Sequence, residues 1–215
     1  MTVATAVERV IKKQPYIEEA LTEGIINLSA LARLILPKVR VITFKKVQKG
    51  AVLMALKRMP KAVKTASRVE KILKEKRDLI VRSNLVEFVI LNSNFSTEKH
   101  RKIIEEAGKQ DKYFLTVTQG VFETSIIASL DLEEKIKNIL GTKELVLTIG
   151  DLSSITIYLS KRNILTPGVY YSILKILAWE GVNVVEVVST SSEFTIILED
   201  KEVERAFSLL KNIST

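Results

Sequence analysis

The chain has 215 residues, 47% of them hydrophobic, with 33 Lys+Arg against 25 Asp+Glu, one histidine and no cysteine. That supplies a core for one large domain or a few small ones and excludes disulfides and thiolate metal sites. The lone His100 leaves zinc and Ser-His chemistry without partners, and no Gly-rich phosphate loop is present, so no catalytic set, metal or cofactor is expected. No apolar run is long enough to span a bilayer, and the N-terminus lacks a basic-then-apolar leader. Those features predict no membrane partner and a cytoplasmic location.

The charge is divided unevenly along the chain. Residues 1–82 hold 19 Lys/Arg and 7 Asp/Glu, whereas residues 83–215 hold 14 and 18. This change of sign argues for two regions with separate tasks.

Taken in order, Thr2 to Lys13 predicts a helix with Val3, Ala6, Val7, Val10 and Ile11 on one side. Pro15 opens the next, with a stripe of Ile17, Ala20 and Leu21, and Gly24 stops it. Asn27 or Ser29 caps a third, Ala30 to Leu36, which Pro37 is expected to end. A fourth is predicted from Phe44 to Met59. A fifth, from Lys61 to Arg77, is strongly basic with a thin stripe of Val69, Ile72 and Leu73. Residues 1–80 thus read as an all-helical region.

Within it, residues 19–33 are similar to a helix-turn-helix, with Ala20 as the small contact residue and Gly24 as the turn glycine. Asn27, Ser29 and Arg33 are then the groups offered to base edges. Lys45, Lys46, Lys57, Arg58, Lys61 and Lys64, in a run with few acids, are suited to phosphates. DNA is therefore a candidate partner. The alternatives are a helical hairpin that buries its own apolar face and a solvated lysine-rich surface.

From Ser83 the period changes from helical to alternating. Strands are predicted at Leu85 to Leu91, Tyr113 to Thr118, Phe122 to Ala128 and Glu144 to Ile149. Helices are predicted at Thr97 to Ala107 and Leu132 to Leu140, ended by Gly108 and Gly141. The same order follows again. Ser154 to Leu159 is a strand, Thr166-Pro167-Gly168 breaks the chain, and Val169 to Glu180 is a helix capped by Gly181. Asn183 to Ser189 and Phe194 to Leu198 are strands, and Glu202 to Lys211 is a helix with Val203, Ala206, Phe207 and Leu210 in one stripe. A shift of 70 residues pairs Phe114 with Val184, Glu123 with Glu193, Ile126 with Ile196 and Leu140 with Leu210, the first strands aligning after a one-residue slip. This predicts an internal repeat, residues 83–149 and 150–215.

Leu165-Thr166-Pro167-Gly168-Val169, Gly181-Val182-Asn183-Val184 and Ser191-Ser192-Glu193-Phe194-Thr195-Ile196 resemble, in order and spacing, the ACT domains of aspartokinase regulatory regions. The resemblance implies an α+β chain of two ferredoxin-like βαββαβ units. It implies an amino-acid site in the second copy. There Gly168, Val169 and Tyr170 would meet the carboxylate, Asn183, Val184 and Val185 would supply strand backbone, and Ser192 and Glu193 would receive an ammonium group. The first copy has Asn94-Phe95-Ser96-Thr97 in place of the Pro-Gly turn, so ligand binding there is doubtful. Nothing corresponds to an aspartokinase catalytic region, and no enzyme is expected. The helix from Val169 to Trp179 is apolar nearly all round, which suggests burial against a second unit, within the chain or in a homodimer or higher even oligomer. The leading expectation is a regulator with a DNA-binding head and an amino-acid sensor. The alternative is a regulatory subunit that docks on an amino-acid biosynthetic enzyme such as an aspartokinase.

Overall fold

The computed structural model describes residues 1–59, 69, 71–73 and 78–213. The chain forms two compact units, Met1–Arg68 and Val69–Thr215.

The first unit contains α1 (Val3–Lys12), α2 (Pro15–Glu23), α3 (Leu28–Thr43) and α4 (Lys49–Arg58). Several boundaries have a local cause. Thr2 caps α1 by accepting from the Thr5 amide, and Gly24 ends α2 at φ 76°, a conformation that costs glycine no Cβ clash. Asn27 caps α3, its Oδ1 accepting from the amides of Ser29 and Ala30 at 2.9 and 3.0 Å. The core joins Ala6, Val7, Val10 and Ile11 of α1 to Leu31, Ile35 and Val39 of α3 and Val52 and Leu56 of α4.

Two expectations fail here. Pro37 lies inside α3, which continues to Thr43. An interior proline costs about 3 kcal/mol, but stopping at Leu36 would leave Val39, fully buried here, outside the core. Tertiary packing outweighs the local rule. The fourth helix starts at Lys49, not Phe44. Phe44 instead ends α3 at φ 55°, and the following turn buries Val47, whose carbonyl accepts from Arg40 Nε at 3.0 Å.

Of the fifth predicted helix, Val69 and residues 71–73 are described and helical. Val69, Ile72 and Leu73 are buried in the core of the second unit rather than among the head helices. Lys61 and Lys64 lie outside the described residues.

The second unit runs β1 (Leu79–Leu91), α5 (Thr97–Ala107), β2 (Leu115–Gln119), β3 (Glu123–Ser129), α6 (Glu133–Leu140), β4 (Leu145–Tyr158), α7 (Val169–Trp179), β5 (Glu186–Ser189), β6 (Glu193–Glu199) and α8 (Val203–Asn212). Its sheet has the order β2-β3-β1-β4-β6-β5, and every neighbour pair is antiparallel. The strands predicted at Glu144 to Ile149 and Ser154 to Leu159 are one long strand, β4. β1 is equally long. The first half uses Leu85–Leu91 of β1 as its first strand and the start of β4 as its fourth. The second half uses Leu152–Tyr158 of β4 as its first strand. Its fourth is the start of β1, where Leu79–Arg82 pair with Ile157–Ser154.

Both long strands change direction at one residue, Asn84 at φ 59° in β1 and Asp151 at φ 53° in β4, where the β1–β4 register also shifts. Short polar Asn and Asp are the residues that tolerate this left-handed conformation. The two positions are repeat equivalents. Leu91 pairs with Glu123 and Tyr158 with Glu193, so the first strands correspond at an offset of 67 residues while β3 and β6 correspond at 70. The offset of 70 therefore holds from β2 onward, whereas α5 and α7 start 72 residues apart. The first strands need a slip of three residues, because the loop after β4 is longer than that after β1.

Helices cover one face of each half. α5 and α6 close a core around Phe88, Ile90, Ile126 and Ile136, and α7 and α8 close one around Ile155, Ile173, Phe194 and Ile196. The opposite faces are also buried. Leu85 and Ile127 of the first half cluster with Leu152 and Ile197 of the second. Ser125 Oγ on β3 lies 2.8 Å from Glu186 Oε2 on β5, although three strands separate them in the sheet. The sheet is therefore folded over, with its halves packed face to face.

Candidate functional site

The candidate site lies at the first turn of α7. Residues 159–168 lead into it and are tied down by their own backbone and by the β5–β6 turn. The Leu159 amide donates to Ser192 O at 2.7 Å. Asn163 is buried, and its Nδ2 donates to Ser160 O at 3.1 Å and to Ser191 O at 3.0 Å. Thr166 Oγ1 donates to Arg162 O at 2.9 Å. The loop delivers Gly168 at φ 93° as the N-cap of α7, without a side-chain cap. Gly168 O accepts from both the amide and the hydroxyl of Ser172.

Beside this turn is a cleft of ≈ 390 Å³ lined by Asn163, Ile164, Thr166, Gly168, Val169, Tyr170 and Tyr171. None of these carries a formal charge at neutral pH. The Tyr170 ring stacks on Phe194 of β6, 4.4 Å between centroids and 23° between planes. The α7 N-terminus supplies backbone N–H groups that have no partner within the helix, together with the positive end of its dipole. Such an arrangement is chemically suited to an anion, and the aromatic and aliphatic wall to an apolar or neutral body. On the other side of Gly168, a Cβ at that position would meet Val69 Cγ2 at 3.7 Å.

Of the residues expected at the site, Gly168, Val169 and Tyr170 line the cleft. Asn183 is exposed in the α7–β5 connection, and Val184 is half-buried against the second-half core. The Val185 amide donates to Ile197 O at 2.8 Å, so that donor is committed to the sheet. Ser192 sits in the β5–β6 turn and Glu193 begins β6, its amide donating back to Thr190 Oγ1 in that turn at 3.1 Å. Asn163, Ile164, Thr166 and Tyr171 were not anticipated. A buried asparagine just ahead of a Pro-Gly turn is the signal that could have found this loop.

The first half treats the same place differently. Ser96 caps α5 with its own side chain, accepting from the Lys99 amide at 3.3 Å. Lys99 Nζ then donates to Asn94 O, Leu140 O and Glu144 Oε2 at 2.9, 2.8 and 2.7 Å, which pins the short loop.

In the helical unit, α2 and α3 are consecutive helices joined by a turn over residues 24–27. Arg33, Lys45, Lys46, Lys57 and Arg58 are exposed, and Ser29 is half-buried. The Asn27 side-chain oxygen is engaged in capping α3. The outer surface of α3 and its C-cap also exposes Leu34, Val41 and Phe44, at 65%, 70% and 92%. Arg9, Lys13 and Lys38 surround a cleft of ≈ 490 Å³ between α1 and α3.

One further titratable group stands out. Glu87 of β1 is buried, and its carboxyl is pushed up to about 7, first by burial and then by the carboxyl of Glu186, while the Ser125 hydroxyl acts in the opposite direction. Among the described residues no cluster of His, Cys, Asp and Glu is fit to hold a metal ion, and no helix is long and apolar enough to cross a membrane.

No protein-family model and no curated protein matches this sequence. Solved structures do match in shape. The aspartate kinase of Clostridium acetobutylicum superposes with a TM-score of 0.52 at 14% identity over 64% of this chain, which spans only 34% of that enzyme. The ligand-free regulatory subunit of aspartate kinase from Thermus thermophilus superposes with a TM-score of 0.50 at 12% identity, over 64% of this chain and 97% of that one. The sheet unit has the paired ACT-domain fold. At such identities the likeness speaks to the fold. The cleft at α7 therefore belongs to the second ACT half, and the Lys99 clamp to the first.

Proposed function

We propose that this chain is a non-catalytic regulatory protein whose second ACT half binds a small amino acid at the α7 cleft. The observation that carries this reading is the contrast at the two helix starts. Gly168 leaves the α7 N-terminus uncapped by any side chain beside a cleft, whereas Ser96 and Lys99 occupy the corresponding region with the chain's own groups. The effector carboxylate lies against Gly168, Val169 and Tyr170. Its side chain is uncharged, because no lining residue is charged. Ser192 in the β5–β6 turn and Glu193 at the start of β6 then contact the effector only if that end of the hairpin moves towards it. A homodimer or a higher even oligomer is part of the same reading.

The basic helical unit binds DNA in this proposal, with Arg33 towards the bases and Lys45, Lys46, Lys57 and Arg58 towards phosphates. The α2–α3 arrangement and the exposure of these cations support it. A second reading has its own observation. The exposed Leu34, Val41 and Phe44 suit a protein partner, which would make the chain a regulatory subunit of a biosynthetic enzyme such as an aspartokinase.

A thermal-melt screen of the full chain against the twenty amino acids tests the sensor. A ligand at a hundredfold over its Kd adds about 2.7 kcal/mol of apparent stability. No shift with any of them sinks the sensor reading. DNA affinity measured against salt concentration, with and without the effector, separates the two heads: phosphate contacts give a steep slope, whereas a protein-docking head gives weak DNA binding and needs Leu34 and Phe44 for its partner.

A further inference from the structure

At the seam between the folded halves, Ser125 Oγ lies 2.7 Å from Glu87 Oε1 and 2.8 Å from Glu186 Oε2. A hydroxyl has one proton to donate. If both carboxyls were ionised, the serine could satisfy one and would leave the other facing its lone pairs. With one carboxyl protonated, every group is matched: the carboxyl O–H donates, and the serine donates onward to the remaining carboxylate. Among the described residues no cation acts on Glu87 instead. Opposite Glu87 stand Ile127 on β3 and Ile149 on β4, and opposite Glu186 stands Ile197 on β6. Leu85, Ile127, Leu152 and Ile197 make the seam apolar. Among the described residues, Glu186 is the charged group that acts on Glu87, and the effect is to raise it.

The fold does not require carboxyls in these places. By the repeat offsets, Glu87 corresponds to Ser154, Ser125 to Thr195 and Glu186 to Thr116. The equivalent positions are thus filled by three hydroxyl residues. Two carboxyls have been placed on only one side of the seam, one from each half.

We propose that Glu87, Ser125 and Glu186 form a site that binds one proton and, through it, latches the two ACT halves face to face. Losing that proton puts two anions into an apolar seam and drives the halves apart around the turns at Asn84 and Asp151. The latch is independent of whether the α7 cleft binds an effector.

The test uses the full chain, with infrared difference spectra and melting curves taken between about pH 5 and pH 8. The wild type should show the C=O band of a protonated carboxyl that fades across this range, together with a falling Tm and faster amide exchange in β3 and β5. Glu87→Gln should lose the band and flatten the Tm profile while still donating to Ser125. Glu186→Gln gives the same test from the other half should the first variant fail to fold. A wild type without the band at the acid end, or a glutamine variant with the wild-type pH profile, overturns the latch.

Discussion

The two halves of the ACT unit share their strand order, their helix positions and even the left-handed residue that redirects each first strand, yet their helix starts differ. In the first half, Ser96 caps α5 through the Lys99 amide, Lys99 Nζ ties Asn94 O to Leu140 O, and the loop over residues 92–96 is short. In the second half a loop twice as long, residues 159–168, places glycine at the helix start and leaves a cleft beside it. Repetition supplied the scaffold, and a change at one loop separates a half that closes on itself from a half that keeps a cleft at its helix start.

The most damaging way to break this comparison is through Phe194, a fully buried core residue that also carries the Tyr170 ring. Phe194→Ala should cost roughly 3–5 kcal/mol in chemical denaturation, along with the effector-induced melting shift. Gly168→Val should come next. A β-branched residue at φ 93° costs about 1–3 kcal/mol, and its side chain would crowd Val69. Calorimetric binding to the effector should vanish, whereas Ser96→Ala in the first half should cost about 1 kcal/mol and leave binding intact. Loss of binding in Ser96→Ala would show that the halves do not divide the work in this way.

Glu87→Gln sharpens the second difference between the halves. Glu87 is raised in the folded state, so its contribution is complete below the ordinary glutamate value near 4.5 and is lost as pH rises through about 7. Wild-type stability should fall by on the order of 2 kcal/mol over that window, and the variant should fall by much less. The smallest effect is expected at Trp179, which is 70% exposed with Lys175 Nζ 5.5 Å from its ring centroid. Trp179→Ala should change the stability of the isolated chain by no more than about 0.5 kcal/mol. If α7 contributes to an oligomer interface, sedimentation will show a smaller particle.

Much of this was readable from residue patterns because its causes are local. Gly24 and Asn27 act within one helical turn, and the Pro-Gly turn at Gly168 sets the start of α7 without help from distant residues. Pro37 misled because the burial of Val39 is a tertiary effect that no local rule contains. The two long strands were hidden for a similar reason. Gly150 and Asp151 resemble a domain linker in sequence, and only the pairing of β1 with β4 shows that the chain passes through them as a bent strand. The mistaken one-residue slip followed from the same gap, since loop length cannot be read from an alternating pattern that continues on both sides. Glu87 does stand out in Leu85-Val86-Glu87-Phe88-Val89-Ile90, but its companion Glu186 is brought to it only by the folding-over of the sheet.

The exchange of strand ends also sets an order of events on the ribosome. Leu79–Arg82 leave the tunnel before any of the residues they pair with, and their partners at Ser154–Ile157 come more than seventy residues later. The first ACT half likewise lacks its last strand until Leu145 has been made. Neither half can finish alone as the chain emerges, so the sheet closes late and in one cooperative step, with slow non-local pairing. A chain truncated after Gly150 and released should hold a nearly complete first half with the start of β1 still unpaired. That free strand end is an open edge, and it would be the first place for two growing chains to exchange partners.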